Sequence, residues 1–223
     1  MQVTDAPSYT TLGEVFKGAK SVALEGQLEY ITKEGAISLK QEKAMYKQEA
    51  SQIITNEATI DGAVKEIDDP SPEARWCFPP MADLNIWAEN LADRKSDIQT
   101  LKASIVEERM VLKSLQADIV AKEKEVAEFE KHIDSPATFP DDTPGPILVV
   151  IKVMTEAMNP AIRRKFEERK TEVAIMKEFA RLLTNRHNFV IDLANNREKI
   201  IDRSIAKVET LKAHCRTLGR HDT

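Results

Sequence analysis

The sequence predicts an all-α protein: an elongated antiparallel helical bundle or coiled coil of three long helices with one short apolar helix. Three observations carry this. Charged residues make up 31% of the 223-residue chain, aromatics only 5%, and seven residues are glycine, a mix that suits long helices better than sheets. Apolar residues return every seven positions over long stretches, the spacing of a helix that packs along its length. Most of the prolines are gathered between those stretches, where they forbid helix continuation.

Residues 1–69 are read as the first helical segment, broken before about residue 36. Thr11 and Glu14 have the spacing of a capping box. Gly13, Gly18, Gly26 and Gly35 then interrupt the pattern, each at a cost of about 1 kcal/mol against alanine in a helix interior. From Leu39 a seven-residue series sets in: Leu39, Tyr46, Ile53, Ile60 and Ile67. Residues 70–80 hold four prolines and read as a linker of extended and turn backbone.

The second long helix is predicted over 81–134, with Asp83 as N-cap before Leu84. Leu84, Leu91, Ile98, Ile105, Leu112, Ile119, Val126 and Ile133 form an unbroken series. Its companion positions alternate between apolar residues (Trp87, Leu101, Leu115, Phe129) and charged ones (Arg94, Glu108, Lys122). Such a stripe, about 75 Å long, needs a partner helix to cover it in water.

Residues 135–158 are read as a proline-rich loop carrying the short apolar helix. Within it, PILVVIKVM (146–154) contains Ile147, Leu148, Val149, Val150, Ile151, Val153 and Met154. Asn159 is expected to end this helix and to cap the long basic helix 159–219, with Pro160 in its first turn. That last helix carries one series from Phe166 through Val173, Ala180, His187, Ala194, Ile201 and Val208 to Cys215. A second series runs through Arg169, Met176, Leu183, Val190, Arg197, Ser204, Leu211 and Leu218. A stripe this wide calls for more than one neighbour, hence a bundle. Gly219 suits the position just past the helix end.

Charge is unevenly spread. Residues 1–69 carry 7 basic and 12 acidic side chains, residues 81–134 carry 8 and 12, and residues 159–223 carry 15 and 9. Two acidic helices beside a basic one are complementary. If the second and third long helices pack antiparallel, facing residue numbers sum to about 294 for helices joined by a loop over 134–160. This register sets Arg94 near Glu198, Glu108 near Arg186 and Lys122 near Glu172, contacts that fix alignment more than they add stability.

No catalytic chemistry is legible. The phosphate loop G-x-x-x-x-G-K-[ST], the dinucleotide fingerprint G-x-G-x-x-G and the nucleophile elbow G-x-S-x-G are all absent from the sequence. Glu107–Glu108 and Glu167–Glu168 sit in heptad context, as solvated faces or interhelix partners rather than acid–base dyads. His132, His187, His214 and His221 show no metal spacing, and His214 and Cys215 point in different directions on a helix. His187 falls on the apolar stripe and reads as a hydrogen-bonded core histidine. The expectation is a non-enzyme with no cofactor, no metal and no small-molecule substrate. A net charge of −5 argues against nucleic acid.

Cys77 and Cys215 lie far apart, so a reducing compartment is expected in place of a disulfide scaffold. No basic stretch followed by an apolar core opens the sequence and no run reaches about 18 apolar residues. The reading is a soluble, cytoplasmic chain, with secretion lacking a signal peptide left open.

Three roles are open to the apolar run: capping the core at the bundle end, which is the first expectation; binding a protein partner or a second copy; or meeting a membrane. An apolar head carried on long helices resembles helical pore-forming toxins in organisation alone, with no residue motif in common. The predicted function is therefore a structural or assembly protein working through helix packing. The alternative is a membrane-active protein with 146–158 as its lipid-contacting tip.

Overall fold

The computed structural model describes residues 10–68, 79–133 and 145–217, without the side chains of Asp68, His132, Ile147, Leu148, Ile151 and Ala157. The linker prolines of 70–78, the loop 135–144, Cys77 and Gly219 lie outside the described residues. The protein is all-α, with α1 Leu12–Ala19, α2 Leu24–Asp68, α3 Met81–Ile133 and α4 Gly145–Thr217. Three helices are long, at 45, 53 and 73 residues, and no strand occurs among the described residues.

The start of α1 follows from local chemistry. The Glu14 amide donates to Thr11 Oγ1 and the Thr11 amide donates to the Glu14 carboxylate at 2.7 Å, closing a reciprocal cap. The Thr11 donors also hold the Glu14 carboxyl below its ordinary value. The expected break before residue 36 falls at 20–23, and α2 then runs unbroken through Gly26 and Gly35. The reason lies in packing. A Cβ at Gly35 would lie 2.5 Å from Leu182 Cδ1 and 3.6 Å from Leu12 Cδ2. The glycine lets two helices approach closely, and that contact offsets its helix-propensity cost.

Two further boundaries differ from the sequence reading. α3 begins at Met81, so Asp83 lies inside the first turn, where its amide donates to the Pro80 carbonyl. α4 begins at Gly145 and passes through Asn159 and Pro160, so the apolar run forms its first turns and not a separate short helix. Pro160 removes one backbone bond from the ladder. Its ring sits on an exposed face, and the helix-favouring residues on both sides keep the helix continuous across the gap.

The chain divides into two compact units, Met1–Leu39 with Met110–Thr184, and Lys40–Arg109 with Asn185–Thr223. In the first, Leu12, Ala19, Ile31, Leu112, Ile175, Leu182 and Leu183 form the buried core, and Phe16 stacks on Phe179 with ring centroids 4.2 Å apart. In the second, Ile60, Ala63, Leu84, Leu91, Ile98, Ile201, Val208, Leu211 and Cys215 do the same. Each core draws on α2, α3 and α4, which is why α4 carries so wide an apolar stripe. All eight members of the Phe166-to-Cys215 series are buried.

Candidate functional site

The first turns of α4 depart from the burial seen along the rest of its apolar series. Val149, Val150, Val153, Met154 and Met158 are between 56% and 63% exposed. Of the seven-residue run expected to cap a core, the four described side chains, Val149, Val150, Val153 and Met154, are exposed. Ile147, Leu148 and Ile151 have side chains outside the described set.

The exposure has a geometric cause within the first unit. Lys122 Nζ lies 3.1 Å from Glu172, Arg169 lies 3.8 Å from Glu125, and Phe129 meets Phe166 at 6.0 Å between ring centroids. Partner numbers on α4 fall as those on α3 rise. α3 stops at Ile133, four residues past Phe129, while α4 extends 21 residues on the N-terminal side of Phe166. The start of α4 therefore outruns α3 by about 17 residues, or about 25 Å of helix at 1.5 Å per residue. At 100° per residue the five exposed apolar positions span one half of the helix circumference. Lys152 and Glu156 fall together on the other half, which the positions of Leu148 and Ile151 share.

The register residues are placed as follows. Lys122 and Glu172 are brought together, as above. In the second unit Arg186 Nη1 donates to Glu108 at 2.5 Å. Arg94 and Glu198 are not brought together. Glu198 instead accepts from Lys102 at 2.5 Å, and the neighbouring Lys95 binds Asp202 at 2.8 Å. Arg94 lines a cleft of about 190 Å³ with Asn56, Trp87 and Asn90. Lys102, about two helical turns further along α3, reaches the same carboxylate, and sequence spacing alone does not choose between the two cations.

Sequence reasoning missed the partner on α2. Glu42 is fully buried and accepts from Arg186 Nε at 2.9 Å on both oxygens, with Arg186 Nη2 at 2.8 Å. Glu108 turns its second oxygen to within 3.3 Å of His187 Nδ1. One guanidinium thus ties carboxylates of two other helices, with His187 at the edge of the cluster. Burial alone would lower the Arg186 guanidinium. The hydrogen bond and charge of Glu42, with Glu108 behind it, outweigh that and hold the group above its ordinary value. Further along α4, Arg197 takes Glu49 at 2.8 Å and the Tyr46 carbonyl at 3.1 Å, while Lys207 takes Asp61 and Glu57. The signal for α2 was the acidic balance of residues 1–69 against the basic α4. Glu42 stands three residues past Leu39, the same companion spacing that holds Glu108 past Ile105 in α3; that spacing marks it as inward-facing but does not name its partner on α4.

Comparison of the chain with known protein families, with curated proteins and with solved structures gave no match. Among the described residues no group of three or more His, Cys, Asp or Glu side chains is arranged to hold a metal ion. No described helix is long and apolar enough to cross a membrane.

Proposed function

We propose that this chain is a non-enzymatic assembly protein. Its helices pack as an antiparallel bundle with coiled-coil seams, and its start of α4 is the surface through which it associates. One observation carries the reading: five large apolar side chains stand exposed along about 14 Å of helix, from Val149 to Met158. A contiguous apolar patch on a soluble protein marks an interaction surface. The core stripes do not compete for this role, since α2, α3 and α4 cover one another in each unit; the equally exposed Val106, Met110, Val111 and Val120 of α3 are spread over 15 residues, against five such side chains in ten residues at the start of α4. The ion pairs of α4 with α2 and α3 support the bundle reading, because they fix direction and register.

Sedimentation velocity, run on the protein alone and with vesicles, and thermal melts of Val150→Asp beside the wild type test the proposal. The expected result is an unchanged melting temperature with association lost. A variant that melts lower, or that associates as the wild type does, rejects the surface. The membrane-active reading is favoured by a further observation, the confinement of Lys152 and Glu156 to one side of the apolar segment.

A further inference from the structure

We propose that the start of α4 docks on an anionic lipid surface, lying in the plane of the membrane interface; this rests on the reading of that segment as an association surface. Three features of the segment select this occupant over a second copy of the chain.

The first is the distribution around the helix. Val149, Val150, Val153, Met154 and Met158 fill one half of the circumference and are all exposed; the other half holds the positions of Leu148 and Ile151 as well, so the two exposed charges Lys152 and Glu156, about 40° apart at 100° per residue, are confined to one narrow sector. A helix that is apolar on one side and charged on the other along the same turns sits at a boundary between water and hydrocarbon. A tip entering end-on would carry both charges into the hydrocarbon, which is costly.

The second is length. From Gly145 to Met158 the helix rises about 20 Å, short of the roughly 30 Å hydrocarbon core. The segment can embed its apolar half in one leaflet without spanning.

The third is charge. Residues 145–166 carry Lys152, Arg163, Arg164 and Lys165 against the single acid Glu156; the acids Glu167 and Glu168 follow directly, and Glu168 pairs with Arg164 at 3.1 Å. Arg163, Arg164 and Lys165 are exposed and begin five residues past Met158, about 8 Å along the axis. That is within a Debye length of the apolar patch at physiological salt, so one surface can meet the apolar half and the basic group together. Anionic headgroups attract basic side chains placed beside an apolar face. A second copy offers less: it brings its own Arg163, Arg164 and Lys165, which an anionic surface would neutralise and a second copy would not.

Flotation of the full chain with vesicles tests this, using phosphatidylcholine vesicles and vesicles of equal parts phosphatidylcholine and phosphatidylglycerol. The expected result is flotation with the mixed vesicles only. Val150→Asp should weaken it by at least about tenfold, since it removes one buried aliphatic side chain and adds a charge. Lys152→Glu with Lys165→Glu should weaken it several-fold, and so should salt raised to about 0.5 M. Circular dichroism of each variant confirms that the helices persist. Equal flotation with both vesicles, or full binding by Val150→Asp, overturns the anionic-lipid proposal. Absent flotation with self-association that Val150→Asp abolishes overturns the lipid partner and keeps the association surface. Absent flotation and absent self-association overturn both.

Discussion

Arg186→Met is the sharpest test of how the second unit holds its helices in register. The change keeps most of the aliphatic stem and removes the guanidinium from between Glu42 and Glu108. Glu42 is 2% exposed, and the contacts from Arg186 Nε and Nη2 are its only described hydrogen bonds. Removing one partner of a buried pair leaves an uncompensated charge, at a cost of about 3–5 kcal/mol. The guanidinium side chain is 29% exposed, so some solvent reaches the pair and the lower end, about 3 kcal/mol, is expected. For a chain of this size that is a melting temperature lower by about 6–12 °C. The double variant Glu42→Leu with Arg186→Met also removes the buried Glu42 charge and should recover part of the loss, while Glu108, 14% exposed, keeps only His187 beside it. Thermal melts of wild type, both single variants and the double variant give the cycle. A loss below about 1 kcal/mol for Arg186→Met, or a double variant as unstable as the single, would refute the buried ion pair as described.

Gly35→Val should destabilise by about 1–3 kcal/mol through overpacking against the buried Leu182, whereas Gly62→Ala, whose Cβ meets nothing within 4 Å, should gain up to about 1 kcal/mol; urea unfolding of the two variants checks the contrast. Pro160→Ala restores a backbone donor inside α4 and should slow amide exchange over residues 152–162, read by hydrogen exchange with mass spectrometry. Hydrogen bonds from Arg181 at 2.6 and 2.7 Å hold the Glu178 carboxyl below its usual range. With the folded value below the unfolded one, this stabilisation is complete above about pH 4.3 and is lost as pH falls through the folded value. Melts of wild type and Glu178→Gln should therefore differ slightly at neutral pH, by less than about 1 kcal/mol for a pair whose arginine is exposed, and converge in acid.

Long-range repetition was the legible part of the sequence. The series from Leu84 to Ile119 and from Phe166 to Cys215 placed core residues well, because burial along a packed helix repeats every seven positions whatever the local detail. His187 lies buried on that stripe beside Glu108, where a hydrogen-bonded histidine was read. What escaped the sequence was set by contacts between distant residues. Gly35 reads as a helix breaker until Leu182 is seen against it, since local propensity yields to a tertiary contact. Pro160 reads as a boundary, yet an exposed ring and strong helix formers on either side carry α4 through it. The exposure of Val149 to Met158 depends on where α3 ends relative to α4, and an apolar run alone does not report whether a neighbour reaches it. The loss of Arg94 from the proposed register has the same origin: Lys102 competes for Glu198 on the same helix.

Peroxide footprinting of methionines is the most direct measure of the central claim, that the start of α4 is a bare surface used for association. Read by mass spectrometry on dilute free protein, Met154 and Met158 should oxidise about as fast as the exposed Met110 and faster than the half-buried Met176. Under conditions where the protein associates, Met154 and Met158 should become protected while Met110 does not. Slow oxidation of Met154 and Met158 in the free protein, or rates that stay unchanged on association, would contradict the account.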